Sequence, residues 1–152
     1  MFAARLFAVA MFMIVAFAAV SAQTATPPAP AVGYFDKAQV AQALASGAVM
    51  YDGKIFRVQT GKRTEAGQVE FHEKDTDVFY IVSGSATMVT GGTMVGGKPT
   101  GPGEIRGTSI TGGVTRTLAE GDVMVIPDHI NHWFKEIQKP VVYFVVKEVT
   151  GK

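Results

Sequence analysis

From residue 54 to residue 149 the chain is cut by glycine, proline and polar turns into short segments, several of which alternate apolar and polar residues. A period of two puts successive side chains on opposite faces of a strand, so this rhythm restricts the chain to sheet architecture. In residues 54–59, Ile55, Arg57 and Gln59 share one side and Phe56 and Val58 the other. In residues 68–73, Val69 and Phe71 oppose Glu70 and His72. Segments 77–82, 86–90, 114–118, 123–126, 132–137 and 141–149 are rich in β-branched and aromatic residues. Short strands separated by glycine turns indicate a sandwich or barrel.

One helix is expected ahead of them. Asp36 is placed to cap it, Gln39 stands three positions later as in a capping box, Val40 and Leu44 share a face, and Gly47 ends it. Residues 91–113 are rich in Gly, Pro and Thr and read as a lid or a plain loop, with a short hairpin around 104–110. The expected core and interface include Ile81, Val82, Val123, Val125, Phe144 and Val146. Residues 141–146 are apolar without a break, so the last strand needs cover on both faces, from a second copy or the helix. Trp133, Phe134, Phe79, Tyr80 and Phe71 are read as core, interface or pocket aromatics.

The first residues form a separate unit. Arg5 precedes an uninterrupted apolar run from Leu6 to Val20, and Val20-Ser21-Ala22 supplies small residues for cleavage. This is the three-part pattern of an export signal, shorter than the about 20 apolar residues a bilayer span requires. Residues 1–22 are therefore read as a signal peptide and 23–33 as a Pro/Ala-rich linker. Residues 34–152 form the domain, exported to the periplasm or the medium without stable membrane insertion. The 152-residue chain has no cysteine, which excludes a disulfide framework, a thiolate metal site and a cysteine nucleophile. Its net charge is +1, with no basic run, so nucleic acid is not an expected partner.

The three histidines are His72, His129 and His132. Glu70 and His72 are two apart on one strand, so their side chains share a face. A turn at residues 74–76 returning the chain antiparallel would bring Asp77 near His72, and His132 would join if its strand is a neighbour. Two imidazoles and one carboxylate are the ligand set of many non-haem iron sites, and zinc and manganese accept similar sets.

Residues 121–136 resemble the second motif of the cupin superfamily. Gly121, Pro127 and His132 match in identity and spacing, while His129 stands where the motif has Gly and Glu136 where it has Asn. Residues 70–84 resemble a degenerate first motif, in which His72 and Gly84 match, Glu70 replaces a His, Asp77 replaces a Glu, and Thr64 stands for an upstream Gly. The resemblance covers roughly residues 50–148. It implies an all-β jelly-roll barrel with one short N-terminal helix, often dimeric. It also implies one divalent metal ion, Fe, Mn or Zn, held by His72 and His132 with Asp77 and Glu70 as substituted ligands.

Glu70 is alternatively a general base in an apolar barrel. Arg57 is a candidate for holding a substrate carboxylate, or an edge salt bridge. His129 is either a turn residue in unusual backbone geometry or a substrate contact. Three readings follow: a metal-dependent oxygenase, isomerase or lyase acting on a small polar molecule, a non-catalytic module binding a small molecule or metal, or a structural dimer with no site.

Overall fold

A computed structural model describes residues 32–149. The expected export signal and most of the linker lie outside the described residues. Helix α1 (Lys37–Ser46) begins as the sequence indicates. The Asp36 carboxylate accepts from the Gln39 amide at 2.8 Å and the Gln39 side chain accepts from the Asp36 amide at 2.9 Å, a reciprocal capping box. Gly47, at φ 72°, ends it. Among the described residues no helix is long and apolar enough to cross a membrane.

The rest is antiparallel sheet. Strands β1 (Val49–Asp52), β2 (Phe56–Arg63), β3 (Val69–His72) and β4 (Asp75–Thr90) come first. Strands β5 (Thr93–Val95), β6 (Lys98–Gly101), β7 (Glu104–Gly107) and β8 (Ser109–Thr111) follow. The set closes with β9 (Val114–Ala119), β10 (Val123–Ile126) and β11 (His132–Val149). The larger sheet runs β1-β2-β11-β3-β7-β6, with β4 on β11 and with β9 and β10 on β4. A separate ribbon pairs β5 with β8. This is the all-β jelly-roll type with one short helix.

Strands β4 and β11 form the spine. The sequence divides each of them into two strands, at Ser83-Gly84 and near residues 138–140. The structure keeps both continuous and absorbs the irregularity in register shifts between Ile137 and Val142. Gly84 sits there at φ 85°, and a Cβ on it would lie 2.0 Å from the Pro140 carbonyl oxygen, so the bend requires glycine.

The core is the inner face of these strands. Phe79, Ile81, Ala86, Met88, Leu118, Ile126, Phe134, Val141, Tyr143 and Val145 form one buried cluster. Phe134 stacks on Tyr143 with ring centroids 5.4 Å apart, and Phe79 meets both edge-on. Of the six residues expected in the core or an interface, only Ile81 is buried, and Val82 is half-buried. Val123 is 64% and Val125 59% exposed, while Phe144 and Val146 are half-buried. They pair in register with Tyr80 and Val78 on the outward side of the sheet, and the buried face of β11 is Val141, Tyr143 and Val145 instead. Helix α1 covers only part of this outer face, where the Thr60 hydroxyl donates to the Ala43 carbonyl at 2.7 Å.

Candidate metal site

Strand β3 holds Glu70 and His72 on one face, as the alternation requires, and β11 starts beside it with His132 paired to Glu70. Asp77 reaches them by a different route from the one the sequence suggests. Strands β3 and β4 do not form a hairpin: β3 pairs with β7 and β11, and β4 pairs with β9, β10 and β11. The chain crosses at Glu73-Lys74, and Asp77 then meets His72 across the barrel interior. Asp77 Oδ2 lies 3.5 Å from Nε2 of His72 and 3.5 Å from Nε2 of His132. Glu70 Oε2 is 3.7 Å from His72 Nε2. Ligand atoms of Glu70, His72 and His132 all lie within 4.8 Å of one another.

The orientation of the two imidazoles is fixed from behind. His72 Nδ1 is 2.7 Å from Glu104 Oε1, and His132 Nδ1 is 3.1 Å from the Ile130 carbonyl oxygen. Carboxylates and carbonyls only accept, so each Nδ1 carries the proton and each neutral ring presents its Nε2 lone pair to the interior. Nε2 of His132 is buried without a hydrogen-bond partner. An orphaned lone pair facing a second imidazole and two carboxylates fits a divalent cation.

Glu104 comes from the glycine-rich segment, whose strands β6 and β7 extend the larger sheet while β5 and β8 form the separate ribbon. Strand β7 pairs with β3, setting Glu104 opposite His72 and Arg106 opposite Glu70. Arg106 binds Glu104 at 2.9 Å and lies 3.5 Å from Glu70, while Arg63 binds Glu70 at 2.9 Å and donates to the Tyr143 hydroxyl at 3.2 Å. Glu70 thus stands between two guanidinium groups, and not in the apolar surroundings expected of a buried base. Lys147, on β11, donates to Asp77 Oδ1 at 2.6 Å and to His72 Nε2 at 3.1 Å.

Burial lowers the basicity of His72, but the carboxylates of Asp77 and Glu104 outweigh burial and the Lys147 charge, so its pKa is raised above 6.5. Burial also works against ionised Asp77, yet His72 in its protonated form and the Lys147 ammonium prevail and hold it below the usual value. For His132 burial wins over Asp77 and Glu70, and its pKa is lowered. Burial raises that of the Tyr143 phenol against the pull of Arg63.

Four residues singled out by sequence, Glu70, His72, Asp77 and His132, converge. Arg57 does not join them: it binds Asp52 at 2.9 Å near the sheet edge, the salt-bridge alternative. His129 lies outside the cluster, its side chain 64% exposed, its ring edge-on to Phe71 and its backbone at φ 60°. Sequence reasoning missed Glu104, Arg106, Arg63 and Lys147. Only Lys147 carried a visible signal, because it continues the inward alternation of Val141, Tyr143 and Val145.

The family model described as Cupin matches residues 56–152. Among solved structures the chain is similar to KdgF from Halomonas sp., at 16% identity over 69% of this chain and 80% of that one, with a TM-score of 0.49. A cupin superfamily protein from Desulfitobacterium hafniense DCB-2 matches at 13% identity over 68% and 75%, with a TM-score of 0.48. The DMSP lyase DddQ from Ruegeria pomeroyi DSS-3 matches at 13% identity over 64% and 40%, with a TM-score of 0.46. No curated protein matches the chain.

Proposed function

The chain belongs to the cupin family, and on that premise we propose that its barrel holds one divalent ion, Fe, Mn or Zn, and acts as a metal-dependent enzyme on a small polar molecule. His72 and His132 are the nitrogen ligands, and Asp77 and Glu70 the oxygen ligands. The observation that carries this reading is the pair of Nδ1-anchored imidazoles whose Nε2 atoms face one interior point, one of them without a partner. When bound, such an ion supplies Lewis acidity at an open coordination position.

The residues around the point have separable tasks. Glu104 and the Ile130 carbonyl hold the imidazole tautomers. Arg63 and Arg106 clamp Glu70 and orient its carboxylate. The Phe79, Phe134 and Tyr143 rings wall off the deep side and exclude water there. The side chains of Glu70, Glu104, Arg63 and Arg106 are each 21–29% exposed, so a small molecule approaches from the β3–β7 side and meets charged groups first.

A second reading is a non-catalytic metal or small-molecule binder. The observation in its favour is the near-complete burial of His72, His132 and Asp77. One experiment separates the two. The protein is loaded with cobalt(II), and its visible spectrum is recorded with and without azide. A spectral change on azide supports an open position and the enzyme. A bound but unresponsive cobalt supports the closed binding site. No metal uptake, or uptake that survives both His72→Ala and His132→Ala, overturns the site.

Export and dimerisation complete the proposal. The pattern of residues 1–22 supports a periplasmic or secreted location. The outer rows Val125–Val78–Val146–Val58 and Val123–Tyr80–Phe144, of which Val123, Val125 and Tyr80 are exposed, support a homodimer, because an uncharged apolar face is complementary to itself.

A further inference from the structure

Lys147 lies inside a row of register partners that crosses the sheet. Asp52 on β1, Arg57 on β2, Lys147 on β11 and Asp77 on β4 stand side by side. Arg57 is bound to Asp52, so Asp77 has Lys147 as its cation. The ammonium lies 2.6 Å from Asp77 Oδ1 and 3.1 Å from Nε2 of His72. That nitrogen has one lone pair. While an ammonium donates to it, a metal ion cannot accept from it, and two cations at such separation repel.

A second carboxylate lies within reach. Asp75 Oδ2 is 3.8 Å from the Lys147 ammonium, and its side chain is 20% exposed against 2% for Asp77. The lysine stem is flexible enough to move its charge between the two. We propose that Lys147 is the resident cation of the metal-free site, that its ammonium and a divalent ion occupy the site in alternation, and that Asp75 receives the ammonium when the ion enters. This inference rests on the metal reading given above. In it, Lys147 sets the affinity and Asp75 is a positioning residue for the displaced charge.

The test compares the full chain with Lys147→Met, which keeps the length of the side chain and removes its charge. Each is titrated with cobalt(II) by calorimetry and absorption, and each is melted with and without zinc. Lys147→Met is expected to bind cobalt at least about tenfold more tightly, since a competing charge is gone. Without metal it should melt below the native protein, because Asp77 is left buried and unpaired, and saturating zinc should remove that deficit.

Asp75→Asn should weaken cobalt binding in the native background and have no effect in the Lys147→Met background. Unchanged or weaker cobalt binding by folded Lys147→Met overturns the inference, as does a melting deficit that zinc leaves in place. If Lys147→Met does not fold, Asp75→Asn decides alone, and unchanged affinity overturns it. Native binding with no response to either variant sinks only this inference. Absence of binding in native and variant alike sinks the metal reading with it.

Discussion

Nδ1 of His72 on β3 donates to Oε1 of Glu104 on β7 at 2.7 Å, across a register pair that joins residues 32 positions apart. The bond makes Glu104 an orienting partner of a candidate ligand. Such partners change metal affinity typically 10- to 100-fold. Glu104→Ala is therefore expected to lower metal affinity by about tenfold or more while the protein stays folded. Calorimetric titration alongside circular dichroism checks it. An unchanged affinity would remove Glu104 from the site.

The Asp77–Lys147 pair gives the acid limb of stability. Although burial opposes its charge, Asp77 has a folded pKa held below 3.8 by His72 and Lys147. Its contribution is therefore fully present above the unfolded value and is lost as pH falls through the lower folded value. Asp77→Asn should cost up to about 3 kcal/mol at pH 7, since it removes the nearer carboxylate of a largely buried ammonium and leaves it only Asp75, 3.8 Å away. That gap should narrow as pH falls below about 4. Urea unfolding from pH 7 down to pH 3 measures it, and a gap constant with pH would assign the loss to packing.

His129 occupies the left-handed region, at φ 60°, in a turn whose amide donates to the His72 carbonyl at 2.8 Å. A non-glycine residue there carries a penalty of roughly 1 kcal/mol. His129→Gly removes that penalty but loses the edge contact with Phe71 and gains unfolded-chain entropy. The net change should stay within about 0.5 kcal/mol of zero, with metal affinity unaltered. A large loss of metal binding would bring His129 into the site after all.

Val125, on the open face of β10, tests the second copy. If that face is a dimer interface, Val125→Asp buries an unpaired carboxylate on both sides of the two-fold and should give a monomer. The candidate metal site, on the opposite side of the sheet, should be unaffected. Light scattering after size exclusion reads the mass. A native protein already monomeric at micromolar concentration excludes the dimer.

Local chemistry decided what the sequence by itself determined here. The capping box at Asp36 is set within a few residues and was legible, and the unusual backbone at His129 was legible from the glycine position of the motif it occupies. So was the shared face of Glu70 and His72, because a strand period of two is a local rule. The tertiary structure decided which face turns inward and which strands become neighbours. Residues 123–126 are apolar throughout, so no local pattern says which face turns inward; docking of β10 along β4 turns Ile126 and Met124 in and Val123 and Val125 out. Two separate strands on each side of Gly84 and of residues 138–140 become one spine, since pairing over the whole length of β11 carries β4 through its irregularity. Glu104, Arg106, Arg63 and Lys147 enter the site through partners distant in sequence. Long-range register is fixed by how the strands of the whole sheet pair, and no local pattern encodes it.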